Sequence, residues 1–335
     1  MNINIQNKII GPGNPVFFVA EAGLNHNGSI DIAKKMIDAA KESGVDAIKF
    51  QTFRTEEFLS QSSEYFDFFK NTELSFKNFE ELNEYAKRKE ILFFSAPFDL
   101  PSVEFLIKIQ VPCFKIASSD LTNIPLIKKI ANSQKPLIIS TGLSNLEEIE
   151  NTIKYCKKEN NDNIILLHSV SNYPTNPMEC NLKAMDTLRK KFQYPVGYSD
   201  NGDSVLVDLV AASMNANMIE KHFTLDKSMQ GPDHSFSIEP RNLKKLIGDI
   251  KLIEKIQGNG DKKPQNSEKD MIKMIRKSLT ARIDIKKGEK ISLDNVAIKR
   301  PQNGIEPKYL EQILGKLVKR DISTDTPIHF DDLLD

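Results

Sequence analysis

Between Val16 and about Ile256, eight short apolar, β-rich runs recur, each followed by a longer stretch of helical period. They read VFFVA, DAIKFQT, ILFFSAPF, CFKIAS, PLIIST, NIILLHSV, YPVGYSD and NMIEKHFT. Such alternation builds βα units on a parallel sheet, since each helical crossover returns the chain in the direction of the preceding strand. Between the first two runs, Ala33, Met36, Ile37 and Ala40 share one helical face, with Ser29 placed as N-cap and Gly44 just past the end. Phe79, Leu82 and Ala86 repeat the pattern after Ser75. Eight units in about 240 residues match an α/β fold of the (β/α)8 TIM-barrel type. A doubly wound open sheet is the other architecture this pattern permits, because counting runs does not establish closure.

The stretch QGNGDKKPQNSEKD, residues 257–270, is rich in Gly, Asn and Lys without apolar periodicity and reads as a linker. Beyond it, short β-like runs alternate with turn signals such as KKGE and QNG, around one helix expected near Tyr309 to Leu314. The expected organisation is a barrel over residues 1–256, a linker over 257–272 and a small β-rich domain over 273–335. A module of about 60 residues is marginally stable alone and gains from docking on a larger one.

Lys+Arg and Asp+Glu both number 46, so no overall field favours nucleic acid or an anionic membrane, and anion binding must come from a local site. Cys113, Cys156 and Cys180 are odd in number and far apart, which argues against a disulfide framework or structural zinc and fits a reducing cytoplasm. No run approaches the ~20 apolar residues that span a bilayer, and VFFVA is too short for a secretory signal core.

Polar residues gather where the runs end: Glu21 with Asn25 and His26, Lys49 with Gln51, Ser118 with Asp120, Ser140 with Thr141, Ser199 with Asp200, and Glu220 with His222. In a barrel those ends form one face, and it carries the chemistry. Lys49 and Lys115 lie inside apolar runs, where an unpaired ammonium is costly to bury. They form either ion pairs with Glu21 or Asp120, or a cationic floor for an anionic substrate, helped by the hydroxyls of Ser118, Ser140 and Ser199. No nucleotide-binding glycine motif is present. A Schiff-base aldolase would also place a lysine on a barrel strand. His222 beside Glu220 is a candidate metal ligand, and GYSDNGDS is the place to look for a second.

FVAEAGLNHNGS, IKFQTF, KIASSDLTNIPLI, IISTGLS, LLHSVSNYPT, VGYSDN, IEKHFTLD, GPDHSFS and IKRPQNG, in this order, resemble the bacterial sialic acid synthase family, which includes N-acetylneuraminate, legionaminate, pseudaminate and spore-coat sugar synthases. The resemblance implies a TIM barrel followed by an antifreeze-like, SAF-type domain in a domain-swapped cytoplasmic homodimer. It implies condensation of phosphoenolpyruvate with an open-chain N-acylated hexosamine, giving a nine-carbon 2-keto sugar acid and phosphate. The sugar is N-acetylmannosamine-like or, alternatively, a 2,4-diacetamido-trideoxyhexose. A divalent metal, Mn2+, Mg2+ or Co2+, would polarise the aldehyde.

By motif, the resemblance implies that Lys49, Lys115, Ser118, Ser140 and Ser199 contact phosphoenolpyruvate. Glu21, Gln51, Ser171, Tyr173 and Asp233 would complete the substrate site, Arg300 would reach the sugar from the partner's small domain, and Asp120, Glu21 and Lys115 would form the catalytic group. His222 and Asn201 would hold the metal. The family's usual SDH is here Ser199-Asp200-Asn201, so one histidine ligand is replaced by an amide, with His26 or His234 as alternative donors. Ala96 stands where a threonine is common, next to Ser95.

Overall fold

The computed structural model describes residues 1–334. The eight runs are the strands β1 (Phe17–Gly23), β2 (Ala47–Thr52), β3 (Leu92–Pro97), β4 (Phe114–Ile116), β5 (Leu137–Ser140), β6 (Ile164–Ser169), β7 (Val196–Asp200) and β8 (Met218–His222). Each pairs in parallel with its sequence neighbour, and β8 pairs with β1 from Met218↔Phe17 to His222↔Glu21. That last ladder closes the sheet and settles the architecture as a TIM barrel.

The eight major helices wrap the outside: α1 (Ile30–Ser43), α2 (Phe76–Arg88), α3 (Leu100–Lys108), α4 (Ile124–Asn132), α5 (Leu146–Lys158), α6 (Ala184–Phe192), α7 (Val205–Ser213) and α8 (Pro240–Gln257). Their ends follow from local chemistry. Ser29 accepts from the Ile32 amide and Gly44 closes α1 at φ 85°, a backbone state that costs glycine nothing. Ser75 with Asn78, and Asn145 with Glu148, form reciprocal caps at the starts of α2 and α5.

Strand side chains alternate between two environments. Outward residues such as Phe18, Ile48, Phe93, Ile139 and Ile219 pack under the helices. Inward residues Phe17, Val19, Ala47, Phe94, Cys113, Ile138, Ile165, Leu167 and Met218 fill the lower barrel, and an N-terminal hairpin (Ile3–Ile5, Lys8–Ile10) adds Ile3, Ile5 and Ile10 to the same cluster. Above this apolar plug, the next inward position on most strands is polar, and there the site begins.

Contacts divide the chain into Met1–Gly258 and a second unit from Asn259 on. The second unit pairs β9 (Ser278–Ala281) with β10 (Val296–Lys299) antiparallel over a core that includes Leu279, Ile285, Val318 and Ile328. The expected helix near Tyr309 is a single turn, Leu310–Ile313, after a 3-10 turn at Pro307–Tyr309. The stretch read as a linker is not all irregular: Gln265 and Glu268 cap each other, and a helix runs Lys269–Ile275. Its Met271, Met274 and Ile275 are exposed and the helix buries no residue, so it shows no apolar face in the sequence. No helix among the described residues is long and apolar enough to cross a membrane.

Candidate active site

A cavity of about 790 Å³ opens at the C-terminal ends of the barrel strands. Glu21, Lys49, Gln51, Lys115, Ser118, Ser140, Ser171, Tyr173, Ser199, Asn201, His222 and Asp233 all line it. Seven strands and the loops beyond them therefore deliver residues as far apart in sequence as Glu21 and Asp233 to one bowl.

Its floor is a buried charge network. Lys49 Nζ lies 3.1 Å from Glu21 Oε2 and 3.1 Å from Glu220 Oε1, and Lys115 Nζ lies 3.2 Å from the same Glu220 oxygen. Ser199 Oγ donates to that oxygen at 3.0 Å, and Gln51 Nε2 donates to Glu21 Oε1 at 3.4 Å. Burial alone would raise the Glu220 carboxyl, but Lys115 and Lys49 overcome it and hold it down to about 2. Burial lowers Lys115, Glu220 partly restores it and Lys49 lowers it again, so it comes to about 8. Lys49 suffers the same burial, yet with carboxylates on both sides it is held above its ordinary value. Burial raises Glu21, Lys49 opposes this, and Glu220 adds to it, leaving the carboxyl above the usual range. The lysines thus pair with Glu21 and Glu220, not with Asp120. Glu220 was visible in the sequence as a strand-end acid, but nothing in one dimension showed that both lysines share it.

Hydroxyls line another part of the cavity. Ser140 Oγ and Ser171 Oγ are buried without a hydrogen-bond partner, and Ser118 Oγ accepts from the Gly142 amide at 3.2 Å. A Cβ on Gly142 would stand 2.4 Å from Ser171 Oγ and 2.7 Å from Ser118 Oγ. Glycine is required there for close approach rather than for backbone conformation. Gly142→Ala is expected to displace both hydroxyls and raise the KM for an anionic substrate roughly tenfold, the worth of about one hydrogen bond. Steady-state kinetics with an unchanged melting temperature would check this.

On the opposite side, His222 is clasped edge-on by Tyr173, with ring centroids 5.8 Å apart, and by Phe236 at 5.1 Å. Its Nδ1 is buried, has no hydrogen-bond partner and faces Asp233 Oδ2 at 3.6 Å. Gly23 leaves the space between: a Cβ there would meet Asp233 Oδ2 and Glu21 Oε1 at 3.4 Å and His222 Nδ1 at 3.8 Å. Asn201 Nδ2 donates to Val170 O at 2.8 Å and Ser169 Oγ at 3.2 Å, which leaves its amide oxygen as the atom available to the cavity. No preformed cage of three or more His, Cys, Asp or Glu ligands exists among the described residues. An orphaned imidazole nitrogen facing carboxylate oxygen nevertheless suits an open divalent site whose remaining positions go to substrate and water.

Several expected residues stand elsewhere. Asp120, on a 3-10 turn (Ser118–Asp120), does not line the cavity; burial raises its carboxyl, while Asn123 Nδ2 at 2.9 Å and Ser119 Oγ at 3.1 Å donate to it and oppose that rise. Its side chain is tied to its neighbours on the turn that presents Ser118. His26 and His234 do not line the cavity either, so neither stands in for the missing histidine. His26 packs on Phe50 with centroids 6.0 Å apart, and burial lowers it to about 4. His234 Nδ1 shares a 2.7 Å hydrogen bond with Thr224 Oγ1 and holds its own loop. Ser95 points outward to Thr52 and the Phe50 carbonyl and cannot replace the hydroxyl absent at Ala96. Arg300 is an exposed residue of the second unit, directly after β10.

Residues 36–262 match the NeuB family and residues 276–334 match the SAF domain. An uncharacterized protein of Methanocaldococcus jannaschii is 48% identical over 99% of this chain and 98% of its own length. The N,N'-diacetyllegionaminic acid synthase of Campylobacter jejuni is 43% identical over 92% of this chain and 97% of its own. The crystal structure of the N-acetylneuraminic acid synthetase of Leptospira borgpetersenii, a complex with citrate, superposes with a TM-score of 0.77 at 42% identity, covering 81% of this chain and 95% of that one.

Proposed function

This chain belongs to the NeuB family, whose relatives are synthases of nonulosonic acids, and on that premise we propose that it condenses phosphoenolpyruvate with an open-chain N-acylated hexosamine. The observation that carries this reading is one cavity lined both by two buried lysines with the unpartnered hydroxyls of Ser140 and Ser171 and by an orphaned histidine nitrogen.

Lys49 and Lys115 hold the phosphate and carboxylate of the enol ester, and Ser118, Ser140 and Ser199 donate to their oxygens. Carbon 3 of the enol ester forms a bond to the sugar's aldehyde carbon, whose oxygen takes a proton. Water adds to carbon 2, and collapse of that tetrahedral centre breaks the bond to the phosphate oxygen, giving a nine-carbon 2-keto acid and inorganic phosphate. Glu21, whose carboxyl burial raises above its ordinary range, would deliver the proton from its Oε1, since Asp120 does not line the cavity. Tyr173 and Asp233 orient sugar hydroxyls, and Arg300 from a partner's second unit would complete the site in a domain-swapped dimer. His222 Nδ1, with the oxygens of Asp233 and Asn201, would hold a divalent cation, which supplies Lewis-acid polarisation of the aldehyde.

The test is phosphate release from phosphoenolpyruvate in the presence of candidate sugars. Release that requires both substrates and stops with EDTA supports the reading; release indifferent to the sugar overturns it. Borohydride trapping of pyruvate on Lys115 would instead favour the Schiff-base aldolase, a course for which an amine lowered to about 8 is suited but its bond to Glu220 is not. Asn201→His is expected to tighten Mn2+ binding by about tenfold or more, because imidazole binds such metals better than an amide oxygen. Calorimetric titration with Mn2+ checks it, and unchanged affinity removes Asn201 from the ligand set.

A further inference from the structure

The loop that follows β1 carries two asparagines, Asn25 and Asn27, that the chemistry just described leaves unused. Neither lines the cavity. Asn25 is 2% exposed, and Asn27 takes a left-handed backbone at φ 48°. The loop is fixed from end to end, because the amides of Asn25, Asn27 and Ser29 donate to Ala22 O, Leu24 O and His26 O, each at 2.9 Å, and Ser29 then caps α1.

Both asparagines reach across to the connection between β8 and α8, residues 223–239. Connections of this length inside a compact domain are usually functional. This one leaves β8 and returns to it: Ile238 N donates to His222 O at 2.8 Å, and Thr224 N donates to Ile238 O at 3.0 Å. The excursion in between brings Asp233 to the cavity, with its Oδ2 3.6 Å from His222 Nδ1.

Two arms tie the excursion to the first loop. In one, Asn25 Nδ2 donates to Phe223 O and to Ser237 Oγ, both at 2.9 Å, and Ser237 Oγ donates to Asp233 O at 2.6 Å. Both hydrogens of that amide are thereby used, one at the foot of the excursion and one, through Ser237, on the backbone of Asp233 itself. In the other, Asn27 Nδ2 donates to Gln230 O at 2.9 Å, which turns its Oδ1 toward His234 Nε2 at 3.4 Å. An amide oxygen only accepts, so His234 carries its hydrogen on Nε2, and its Nδ1 accepts from the Thr224 hydroxyl at 2.7 Å. Gly231 lets the chain pass this ring, since a Cβ there would stand 2.7 Å from His234 Cδ2. The backbone around Asp233 is held on both sides while its carboxylate faces His222.

Resting on the metal role proposed above for His222 and Asp233, we infer that Asn25 and Asn27 are positioning residues. They set the approach of Asp233 to His222 from a loop that supplies neither, much as groups behind a ligand fix its orientation and with it the affinity of a site. Asparagines that served the fold alone would, on removal, lower the melting temperature and leave this pair as it is.

The deciding variants are Asn27→Gly, which removes one arm while suiting the left-handed backbone, and Ser237→Ala, which cuts the other between Asn25 and Asp233. Each is expected to weaken Mn2+ binding to the full-length protein about tenfold by calorimetry, the usual cost of losing a group that orients a ligand. The KM for phosphoenolpyruvate should not move, since Lys49 and Lys115 stand on β2 and β4. In the metal-free protein, the His222 ring signal in nuclear magnetic resonance, assigned by its loss in His222→Gln, should shift in both variants at constant pH. Wild-type Mn2+ affinity in both variants, a His222 signal unmoved in both, or an equal loss in the KM for phosphoenolpyruvate would overturn the inference and leave the asparagines as scaffold. A wild type that binds no Mn2+ strikes the metal reading by itself, and the His222 signal then decides the inference.

Discussion

Glu220→Gln is expected to lower kcat/KM for phosphoenolpyruvate by roughly a hundredfold and to destabilise the fold by about 3–5 kcal/mol, the typical cost of leaving a buried charge without its partner. The variant keeps the shape of the side chain and removes only its charge. Lys49 retains Glu21 at 3.1 Å, but Lys115 has no other carboxylate in its salt bridges. Its charge is then opposed by burial and by Lys49, with only the weaker influence of Glu21 to offset them.

The sign of the pH effect follows. Lys115 binds an anion only when protonated, so in the wild type the KM for phosphoenolpyruvate should rise as pH passes about 8. Glu220 is the largest influence raising that value, so without it the rise should begin at a lower pH, toward neutrality. A KM profile from pH 6 to 9 for both proteins, with thermal denaturation, checks both parts. A KM profile that does not move would show that Glu220 is not what keeps Lys115 charged.

Lys221→Met is the second change with a large expected effect, and it touches nothing in the cavity. Lys221 is on β8 between Glu220 and His222, so alternation turns it outward, under α7. There its Nζ meets Asp200, Asp208 Oδ2 at 3.0 Å and the Gly202 carbonyl at 3.0 Å, all in a nearly water-free space. The two aspartates lie in fully buried positions with no other cation among their salt bridges. Removing the ammonium leaves like charges facing each other, and about 3–5 kcal/mol of stability should be lost. The Gly202 amide also donates to Asp200 Oδ1 at 2.9 Å, so the same network holds the turn that follows Asn201. The variant should therefore melt earlier and, at temperatures where it remains folded, bind Mn2+ more weakly. Denaturant titration and calorimetry separate the two effects. A variant of wild-type stability would mean that the aspartates do not stay charged once the ammonium is gone.

The two lysine-bearing networks differ in how visible they were. Lys49 and Lys115 announced themselves because each interrupts an apolar run, and burying a charge demands a partner. Their partner was only half visible: Glu21 was anticipated, Asp120 was considered and Glu220 was passed over. Asp120 is nearer to Lys115 in sequence, but a turn past the strand end rotates its carboxyl to Asn123 and Ser119. Glu220 is 105 positions from Lys115, and only barrel closure brings β8 to face β4. The phenylalanine wall of the cavity, formed by the packed rings of Phe53, Phe58, Phe68, Phe69 and Phe98, escaped for a related reason. FRTEEFLSQSSEYFDFFK has neither strand nor steady helical period, and its rings acquire a common face only after two short helices fold back over the barrel mouth.

What this chain's order of residues determined alone is whatever repeats with a short period: eight strands, the helices between them with caps such as Ser29 and Gly44, and the strand ends at which polar residues gather. Those follow from bonds and contacts within a few residues of each other. Closure of β8 on β1, the sharing of Glu220 by two lysines, the orphaned nitrogen of His222 and the phenylalanine wall were decided by the tertiary structure. Each depends on the distance between segments far apart in the chain, and that distance is set by the packing of the whole barrel.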